Sequence, residues 1–475
     1  MMEYEVVIGL ETHVEQSTKT KMFCSCKNEF GAAPNTNVCE VCMALPGALP
    51  VVNEQAIHNI VKAGLATNCK INQTFAFDRK NYFYPDCPKA YQITQLYVPI
   101  CVNGHVDLVA DGKPFSIRIH QIHMEEDAAK LIHNSLTSET MVDFNRCGTP
   151  LMEIVTEPDF RSISQVLTYL EYIKETFKAI GISECRMERG QLRCDVNVSL
   201  RPIGSEKFGE RTEMKNINSF KAIERAIRFE IERQKEIYDN GEKVHRETLR
   251  WDDEQGRNYP MRSKEEAMDY RYFPEPDLLP LHITNEELEA IKAEMPLLPE
   301  QRKAKYKGYG LTDYDADQLS KEKYIYAFFD SAVAAGVAPK EASNWVQGEI
   351  AKVVNEEMAE QPEIRLNAKD FADLVELYKS GTITQASARE VMRKMWGTQE
   401  KPKDLVEQLG LASVSDDSAL RKVLEEVFAA SPQAVADYKA GNKKTIAFFV
   451  GQVMKATKGK ANAGMVNKLV AEMLD

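Results

Sequence analysis

The feature that most constrains the fold is a change in hydrophobic period beyond the middle of the chain. Before Pro296 several segments alternate apolar and polar residues, which is the period of a strand. After Pro299 the apolar residues recur with the period of a helix. The sequence therefore predicts an α+β protein, in which a β-rich N-terminal domain with flanking helices is followed by an all-α remainder.

Two proline-containing breaks set the expected domain limits. The first is Pro296–Pro299, and the second lies near residues 397–403. A chain of 475 residues is too long for one hydrophobic core, so two or three domains are expected. We predict a β-rich domain over residues 1–295, a helical domain over 296–400 and a small all-α tail domain over 401–475.

End signals locate the helices that accompany the strands. Ser162 and Gln165 have the spacing of a capping box, and the apolar stripe that follows them stops at Gly181. A second helix is predicted over residues 219–240, and a third is predicted to begin at Thr284. These segments supply the flanking helices of the first domain.

Composition restricts the cellular setting. No apolar run approaches the roughly 18 residues of a membrane span, and the N-terminal residues enter a strand pattern without the features of a signal or transit peptide. We therefore expect a cytoplasmic protein with no membrane association. Ten cysteines in a reducing compartment favour metal binding or free thiols over disulfides. The net charge of −12 argues against general affinity for nucleic acid but is compatible with a local basic patch.

Four cysteines stand in two close pairs. Cys24 and Cys26 form a CxC pair, and Cys39 and Cys42 form a CxxC pair after twelve intervening residues. This spacing lets each pair supply two thiolates to one tetrahedral zinc ion. We predict a structural zinc site in the loop over residues 24–42. The alternative is four unrelated buried thiols.

Three consecutive acidic residues, Glu125, Glu126 and Asp127, follow a strand-like run over residues 115–122. Neighbouring carboxylates repel one another and need a cation, water or another partner. Mg²⁺ is the usual cation because it prefers oxygen ligands and bridges them to phosphate. The alternative is an acidic turn that is exposed to solvent.

Further candidate ligands lie on predicted strands. Alternation over residues 6–15 places Glu11, His13 and Glu15 on one face, which suits a metal site or a solvent-facing strand. Glu153 lies inside a short apolar strand, where a carboxylate needs a partner.

The clearest strand covers residues 192–201. Its polar face carries Arg193, Asp195 and Asn197, and Lys215 follows in the next segment. A face with acid, amide and guanidinium groups is either solvated surface or the floor of a polar site.

Aromatic and basic residues interleave over residues 77–95, which include Lys80, Tyr82 and Tyr84. This mixture suits stacking on a base and pairing with phosphate, and it equally suits an irregular packed loop. The sequence has no GxxxxGK[ST] motif, no GxGxxG after a strand and no GxSxG, so a bound nucleotide would not be held by a P-loop.

Part of the tail is basic, in contrast to the acidic chain as a whole. Seven lysines and no acidic residue lie between Asp437 and Glu472, whereas the whole chain is acidic. Such a patch is typical of a surface that binds an RNA backbone, and the alternative is a solvated helix face. The candidate RNA contacts are Lys443, Lys444, Lys455, Lys458 and Lys460.

Together these motifs resemble the GatB/GatE family, the B subunits of the aspartyl/glutamyl-tRNA(Asn/Gln) amidotransferases, over essentially the whole chain. In the tail, residues 449–455 and 459–463 are similar to the YqeY-like domain of this family. The cysteine pairs are not universal in the family and indicate a zinc-bearing branch. The rest of the resemblance lies in residues 7–15, 78–86, 123–127, 148–153, 192–195, 215–220 and 269–277.

The resemblance implies an architecture and a reaction. The N-terminal "cradle" domain would use ATP to phosphorylate the side-chain carboxylate of Glu on tRNA(Gln) or of Asp on tRNA(Asn). Ammonia would then displace phosphate and give Gln-tRNA(Gln) or Asn-tRNA(Asn) for translation, which is the reaction of a carbon–nitrogen ligase. Nothing in the chain resembles the Ser-Ser-Lys site of an amidase. The ammonia would therefore come from the glutaminase subunit GatA, in a heterotrimer with the small subunit GatC.

In this reaction each candidate residue has an expected role, since phosphoryl transfer needs positioning and charge neutralisation. The expected Mg²⁺ ligands are Glu11, His13, Glu125, Glu153 and Asp195. The expected catalytic group is Glu125, Glu126, Asp127, Lys80 and Lys215, with the choice of ligand between the two glutamates open. The expected contacts to substrate or nucleotide are Tyr82, Tyr84, Arg193 and Asn197.

Two other classes of function stay open at this point. In an RNA-binding assembly subunit the acidic residues would be structural, and the complex would keep ATP hydrolysis without Asp195. A stand-alone ATP-dependent ligase would act on a free amino acid without tRNA. The choice between Glu-tRNA(Gln) and Asp-tRNA(Asn) depends on which misacylating synthetases the organism has.

Overall fold

The computed structural model describes residues 3–134, 137–262, 270–359, 362–413, 417–457 and 461–474. It divides into two compact units, one that ends at Leu298 and one that begins at Pro299. The first unit consists of strands and helices, and the described part of the second unit consists of helices. The predicted α+β class is therefore confirmed. Four of the residues singled out in the sequence lie outside the described residues, namely Asp269, Lys458, Gly459 and Lys460.

The first unit contains all the named strands of the described chain. Their bounds are β1 (Tyr4–Glu15), β2 (Lys70–Ile71), β3 (Thr74–Phe75), β4 (Asp78–Asn81), β5 (Tyr91–Thr94), β6 (Cys101–Ala110), β7 (Lys113–Glu126), β8 (Lys130–Asn134), β9 (Glu139–Asp143), β10 (Pro150–Thr156), β11 (Leu192–Pro202), β12 (Thr212–Lys215), β13 (Glu247–Asp252), β14 (Arg257–Arg262), β15 (Phe273–Pro274) and β16 (Leu281–His282). Its helices are α1 (Glu54–Ala66), α2 (Ile163–Ala179), α3 (Phe220–Asp239) and α4 (Asn285–Ala293).

Within the described residues, nine strands form one sheet in the order β14-β13-β12-β11-β1-β10-β7-β6-β2. Neighbours in this sheet run antiparallel except for β12 and β13, which run parallel. A parallel pair needs a crossover connection, and helix α3 provides it. Smaller sheets with the orders β15-β4-β5, β16-β3 and β8-β9 complete the unit.

Helix caps explain where the helices of this unit begin. The side chain of Ser162 accepts a hydrogen bond from the backbone N–H of Gln165, 3.2 Å away, and α2 starts at the next residue. Ser219 caps α3 in the same way, and Thr284 forms a reciprocal capping box with Glu287 at α4. The three predicted helices are therefore confirmed at their N-termini.

The hydrophobic core of the first unit lies between helices α1–α3 and one face of the large sheet. In the central strand β1, alternate residues such as Ile8, Leu10 and Val14 are buried in that core. Strand alternation then directs Glu11 and His13 to the opposite face of the sheet. One face of the sheet thus packs against the hydrophobic core, and the other face carries the polar side chains.

The second unit is a set of short helices. Their bounds are α5 (Pro299–Gly308), α6 (Asp313–Lys321), α7 (Lys323–Ala334), α8 (Pro339–Trp345), α9 (Ala351–Glu357), α10 (Ala368–Lys379), α11 (Gln385–Met395), α12 (Pro402–Gln408), α13 (Asp417–Ala430), α14 (Pro432–Lys439), α15 (Ile446–Ala456) and α16 (Ala463–Leu474). One π-helical turn, Val346–Ile350, joins α8 to α9.

Two hydrophobic clusters lie within the helical unit. One includes residues from α5 to α12, and Leu405 and Val406 of α12 belong to it. The other includes residues from α13 to α16. The division of the helical part near residue 400 stays a prediction. In the part of the chain that the structure describes, no helix is both long enough and apolar enough to cross a membrane.

Candidate functional site

The polar face of the large sheet brings together residues that are far apart in sequence. Strand register places His123 opposite Glu153, Glu153 opposite His13, and Glu11 opposite Asp195. Directly opposite residues of an antiparallel pair share a face, so their side chains meet. The central position of β1, between β10 and β11, is what makes these contacts possible.

The first carboxylate cluster consists of His13, Glu125 and Glu153, whose ligand atoms lie within 4.8 Å of one another. The His13 Nε2 atom lies 3.4 Å from Glu153 Oε2 and 3.9 Å from Glu125 Oε2. His123 adds a second imidazole, with its Nε2 atom 3.4 Å from Glu153 Oε2. Thr94 Oγ1 of β5 donates to Glu125 Oε1 at 3.2 Å and holds that carboxylate in place.

Opposite charges within this cluster stabilise one another. Burial by itself would lower the pKa of the imidazoles, but the carboxylates of Glu153 and Glu125 outweigh it. The pKa of His13 is therefore raised, and that of His123 reaches about 10. Burial conversely acts to raise the pKa of Glu153, but the two histidines lower it well below its usual value. In this arrangement the carboxylates stay ionised, as metal ligands must, whereas His13 has to lose its proton before it can bind a metal.

The second carboxylate cluster consists of Glu11, Asp195 and Glu213, and its ligand atoms also lie within 4.8 Å of one another. Lys215 forms ion pairs with Asp195 and, at 3.3 Å, with Glu213. Asn197 Nδ2 donates to Glu11 Oε1 at 3.2 Å. Asn197 is itself buried, so this part of the polar side of β11 is not freely solvated.

A cavity of about 980 Å³ opens beside the second cluster. Glu11, Glu213 and Lys215 line it from the sheet, while Lys80, Tyr82 and Tyr84 line it from the aromatic segment. Burial would lower the pKa of Lys80, yet Glu125 outweighs this and raises it, so the ammonium is retained beside the first cluster.

The three consecutive acidic residues have different partners. Glu125 belongs to the first cluster, Glu126 pairs with Lys89, and Asp127 pairs with Arg193 at 2.6 Å. All three are 4–5% exposed, so the alternative of an exposed acidic turn is wrong. Glu125 and Glu126 thus differ in position, since only Glu125 belongs to the first cluster. Arg193, predicted to contact substrate, instead forms an ion pair with Asp127 of the protein itself.

The four paired cysteines also meet. The sulfur atoms of Cys24, Cys26, Cys39 and Cys42 lie within 4.8 Å of one another. The backbone N–H of Cys39 donates to Cys42 Sγ at 3.2 Å. A hydrogen bond from the Cys24 thiol, with the charge of Lys21, lowers the pKa of Cys42.

The tail lysines lie on the surface of the helical unit. Lys444 and Lys455 are exposed, as is Lys443, whose Nζ atom lies 4.3 Å from the centroid of the Tyr438 ring. Exposed ammonium groups of this kind can contact an anionic partner. Lys458 and Lys460 lie outside the described residues.

Comparison with known proteins gives a consistent result over the whole length. Residues 6–289 match the GatB/GatE catalytic domain, and residues 327–474 match the GatB domain. The chain belongs to the GatB/GatE family. Relatives of this family from Lachnospira eligens, Persephonella marina and Brevibacillus brevis are 49%, 50% and 47% identical to it, with 100% of each chain covered. Each of these relatives is named as the B subunit of an aspartyl/glutamyl-tRNA(Asn/Gln) amidotransferase.

For a GatB/GatE chain the donor sets of the clusters suit different metals. The two carboxylate clusters offer hard oxygen ligands, with one imidazole in the first, and this chemistry fits Mg²⁺. The four sulfur ligands fit zinc in a closed tetrahedral site.

Glu213 is the candidate ligand that reasoning from this sequence missed. It lies two residues before Lys215 on strand β12, so strand alternation places both side chains on one face. That signal was present in the sequence. The five predicted Mg²⁺ ligands, in turn, divide between two clusters, which the sequence did not indicate.

Proposed function

We propose that this chain is the B subunit of an ATP-dependent amidotransferase that converts Glu-tRNA(Gln), Asp-tRNA(Asn) or both into the amidated forms. The observation that carries the proposal is the pair of carboxylate clusters on one sheet face, beside a cavity lined with lysines. The names of full-length relatives that are about half identical support the same activity.

The reaction has two steps. A side-chain carboxylate oxygen of the aminoacyl group attacks the γ-phosphorus of ATP, and ADP leaves. Ammonia then attacks the carbonyl carbon of the acyl phosphate, phosphate leaves with the carbon–oxygen bonding pair, and the nitrogen loses a proton. Both steps move negative charge, so fixed cations and well-placed ligands are the main requirement.

The residues of the cavity suit these requirements. Lys80 and Lys215 would neutralise phosphate oxygens, because both ammonium groups lie between the cavity and a carboxylate cluster. Tyr82 and Tyr84 offer aromatic faces for the ribose or the aminoacyl end.

The two clusters would hold the magnesium that accompanies ATP. Glu125 and Glu153 are the proposed ligands with His13 in the first cluster, and Glu11 and Asp195 are the proposed ligands in the second, together with Glu213. Bound Mg²⁺ supplies charge neutralisation and orients phosphate oxygens.

The remaining parts of the proposal concern partners and zinc. We propose a cytoplasmic heterotrimer in which GatA supplies ammonia and GatC completes the assembly, while Lys443, Lys444 and Lys455 contact the tRNA backbone. Zinc on Cys24, Cys26, Cys39 and Cys42 would be structural.

The test uses the chain co-purified with its two partner subunits. Ammonium replaces glutamine as the nitrogen donor, so that the glutaminase step is bypassed, and both ADP release and amide formation are followed. We expect both activities with misacylated tRNA and neither with free glutamate or aspartate. Asp195→Asn should abolish both while tRNA binding persists. Turnover on the free amino acid would contradict the proposal, and so would normal ADP release by the Asp195 variant.

A further inference from the structure

Lys21 is a lysine in the interior of the first unit, with a side chain that is 0% exposed. A charged group is rarely buried without a partner of opposite charge, because it loses its hydration. The contacts of its ammonium group within the described residues include no carboxylate. The charge that balances this cation must therefore belong to a different kind of group.

The surroundings of the ammonium identify that group. The Nζ atom lies 2.7 Å from the carbonyl oxygen of Asn37 and 3.4 Å from that of Phe144. It also lies 3.7 Å from Cys42 Sγ. Three acceptors match the three N–H donors of a lysine ammonium. Of these acceptors, the Cys42 sulfur is the one that can carry a full negative charge.

We propose that Lys21 is part of the zinc site as a fixed counter-charge to its thiolates. Four thiolates around one Zn²⁺ leave two excess negative charges, and of the four sulfurs that of the buried Cys42 is the most costly to leave without a counter-charge. The ammonium of Lys21 removes one of them through a charge-assisted N–H···S hydrogen bond to Cys42. This inference rests on the proposed zinc site and adds to it a residue that is not a ligand.

The same side chain joins the cysteine loop to a neighbouring segment. Besides the Lys21 contact to Phe144, the Cys147 thiol donates to the Cys42 carbonyl at 3.5 Å. The Met22 N–H donates to the Gly148 carbonyl at 2.7 Å. Lys21 therefore acts as a positioning residue, since its ammonium ties Cys42 both to the Asn37 carbonyl of the loop and to the Phe144 carbonyl of the neighbouring segment.

The first test measures zinc affinity of the full-length chain by competition with a chromophoric chelator. Lys21→Met removes the charge and the donors, and Lys19→Met is the matched control because Lys19 is exposed and two residues away. We expect Lys21→Met to weaken zinc binding about 10- to 100-fold, as loss of a partner to a metal ligand does. The control should stay at the wild-type value.

A second test separates charge from packing. Cys26→His replaces a thiolate by a neutral imidazole, which lowers the negative charge of the ligand set by one. In the wild-type background this substitution should weaken zinc binding. In the Lys21→Met background it should weaken binding less or restore it, because the charge is then balanced without the lysine. The same double variant should recover folding if Lys21→Met alone does not fold.

The outcomes distinguish the two proposals. A wild-type chain that binds no zinc overturns the zinc site itself. A wild-type chain that binds zinc, with Lys21→Met equal to Lys19→Met, overturns the role of Lys21. The role of Lys21 is also overturned if the losses of zinc affinity caused by Lys21→Met and Cys26→His simply multiply in the double variant. It is overturned as well if neither Lys21→Met nor the double variant folds.

Discussion

The cysteine cluster and the first carboxylate cluster are built in different ways. The cysteines belong to one loop over residues 24–42 that contains no helix and no ladder strand in its described part. The carboxylate cluster takes residues from β1, β7 and β10, which are neighbours in one sheet. One site depends on a short segment of chain, and the other depends on the register of several strands.

The two clusters also differ in how their charges are balanced. The carboxylates have two imidazoles among them, from His13 and His123, so cations are present before any metal binds. Within the described residues, the ammonium seen in contact with the cysteine cluster is that of Lys21, against four potential thiolates. We infer that the sheet keeps its ligands in position without metal, whereas the loop needs zinc to keep its shape.

The largest effect is expected when a ligand of the carboxylate cluster is neutralised. Glu153→Gln keeps the size of the side chain and removes its charge. We expect tRNA-driven ADP release by the assembled complex to fall about 10³-fold, the scale of removing one electrostatic interaction with a transition state. Single-turnover rates measure this directly.

The matched control is Glu157→Gln, which lies just beyond the same strand and pairs with the exposed His120 at 3.0 Å. Its rate should match that of the unmodified complex. Equal losses in both variants would mean that the cluster is not the site of phosphoryl transfer.

Removal of zinc should affect the cysteine loop and leave the strands of the first carboxylate cluster unchanged. We expect chelation to raise amide hydrogen exchange over residues 24–42 by about 100-fold, because local opening no longer has to break metal–sulfur bonds. Amides of β1 and β10 should keep their protection. Mass spectrometry of exchange before and after chelation gives both values, and a loss of protection in β1 would show that the sheet also depends on zinc.

A pH titration of the metal-free chain tests whether the histidines of the first carboxylate cluster are protonated. The pKa of His123 is raised from 6.5 to about 10, against burial, by Glu153 and Glu125. Its contribution to stability is therefore complete below pH 6.5 and is lost as the pH rises through about 10, on the order of a few kcal/mol. The nuclear magnetic resonance signal of His123 should titrate near pH 10. In His123→Gln this part of the pH dependence should disappear, and a midpoint near 6.5 in the unmodified chain would contradict the expected ion pairs.

The smallest effect is expected from the tail, which belongs to neither cluster. Charge reversal at Lys443, Lys444 and Lys455 should lower the slope of log tRNA affinity against log salt by about 0.7–0.9 for each phosphate that is no longer neutralised. The same reversal at the exposed Lys369, Lys379 and Lys403 serves as control. The catalytic rate with saturating tRNA should stay unchanged, and equal slopes in both triple variants would show that the tail lysines are only a solvated face.

The sequence was most informative where its signals are local. The cysteine pairs and the capping residues Ser162 and Thr284 are recognised from a few neighbouring positions. In the structure the four cysteines meet and both capping residues begin helices, as their spacing predicts. The carboxylates were recognisable one by one because each interrupts or faces an apolar strand. Their roles as ligands stay predictions.

The partition of the carboxylates could not be predicted, because it depends on the order of the strands. Glu11 joins Asp195 and Glu213, while His13, two residues later on the same strand, joins Glu125 and Glu153. This result follows from the place of β1 between β10 and β11, and sequence periodicity carries no information about which strands are neighbours. The choice between Glu125 and Glu126 likewise depends on Lys89, which is distant in sequence from both.

The central place of β1 has a consequence for biosynthesis. This strand leaves the ribosome well before either of its partners, β10 and β11, has been made. At usual rates of translation β11 is complete only about 10–40 s after β1. Until β10 is made β1 has two unpaired edges, and until β11 is made it still has one, together with an apolar face that other chains can bind. Chaperone protection of the nascent β1 strand should therefore matter more for the yield of this protein than the thermodynamic stability of its finished sheet.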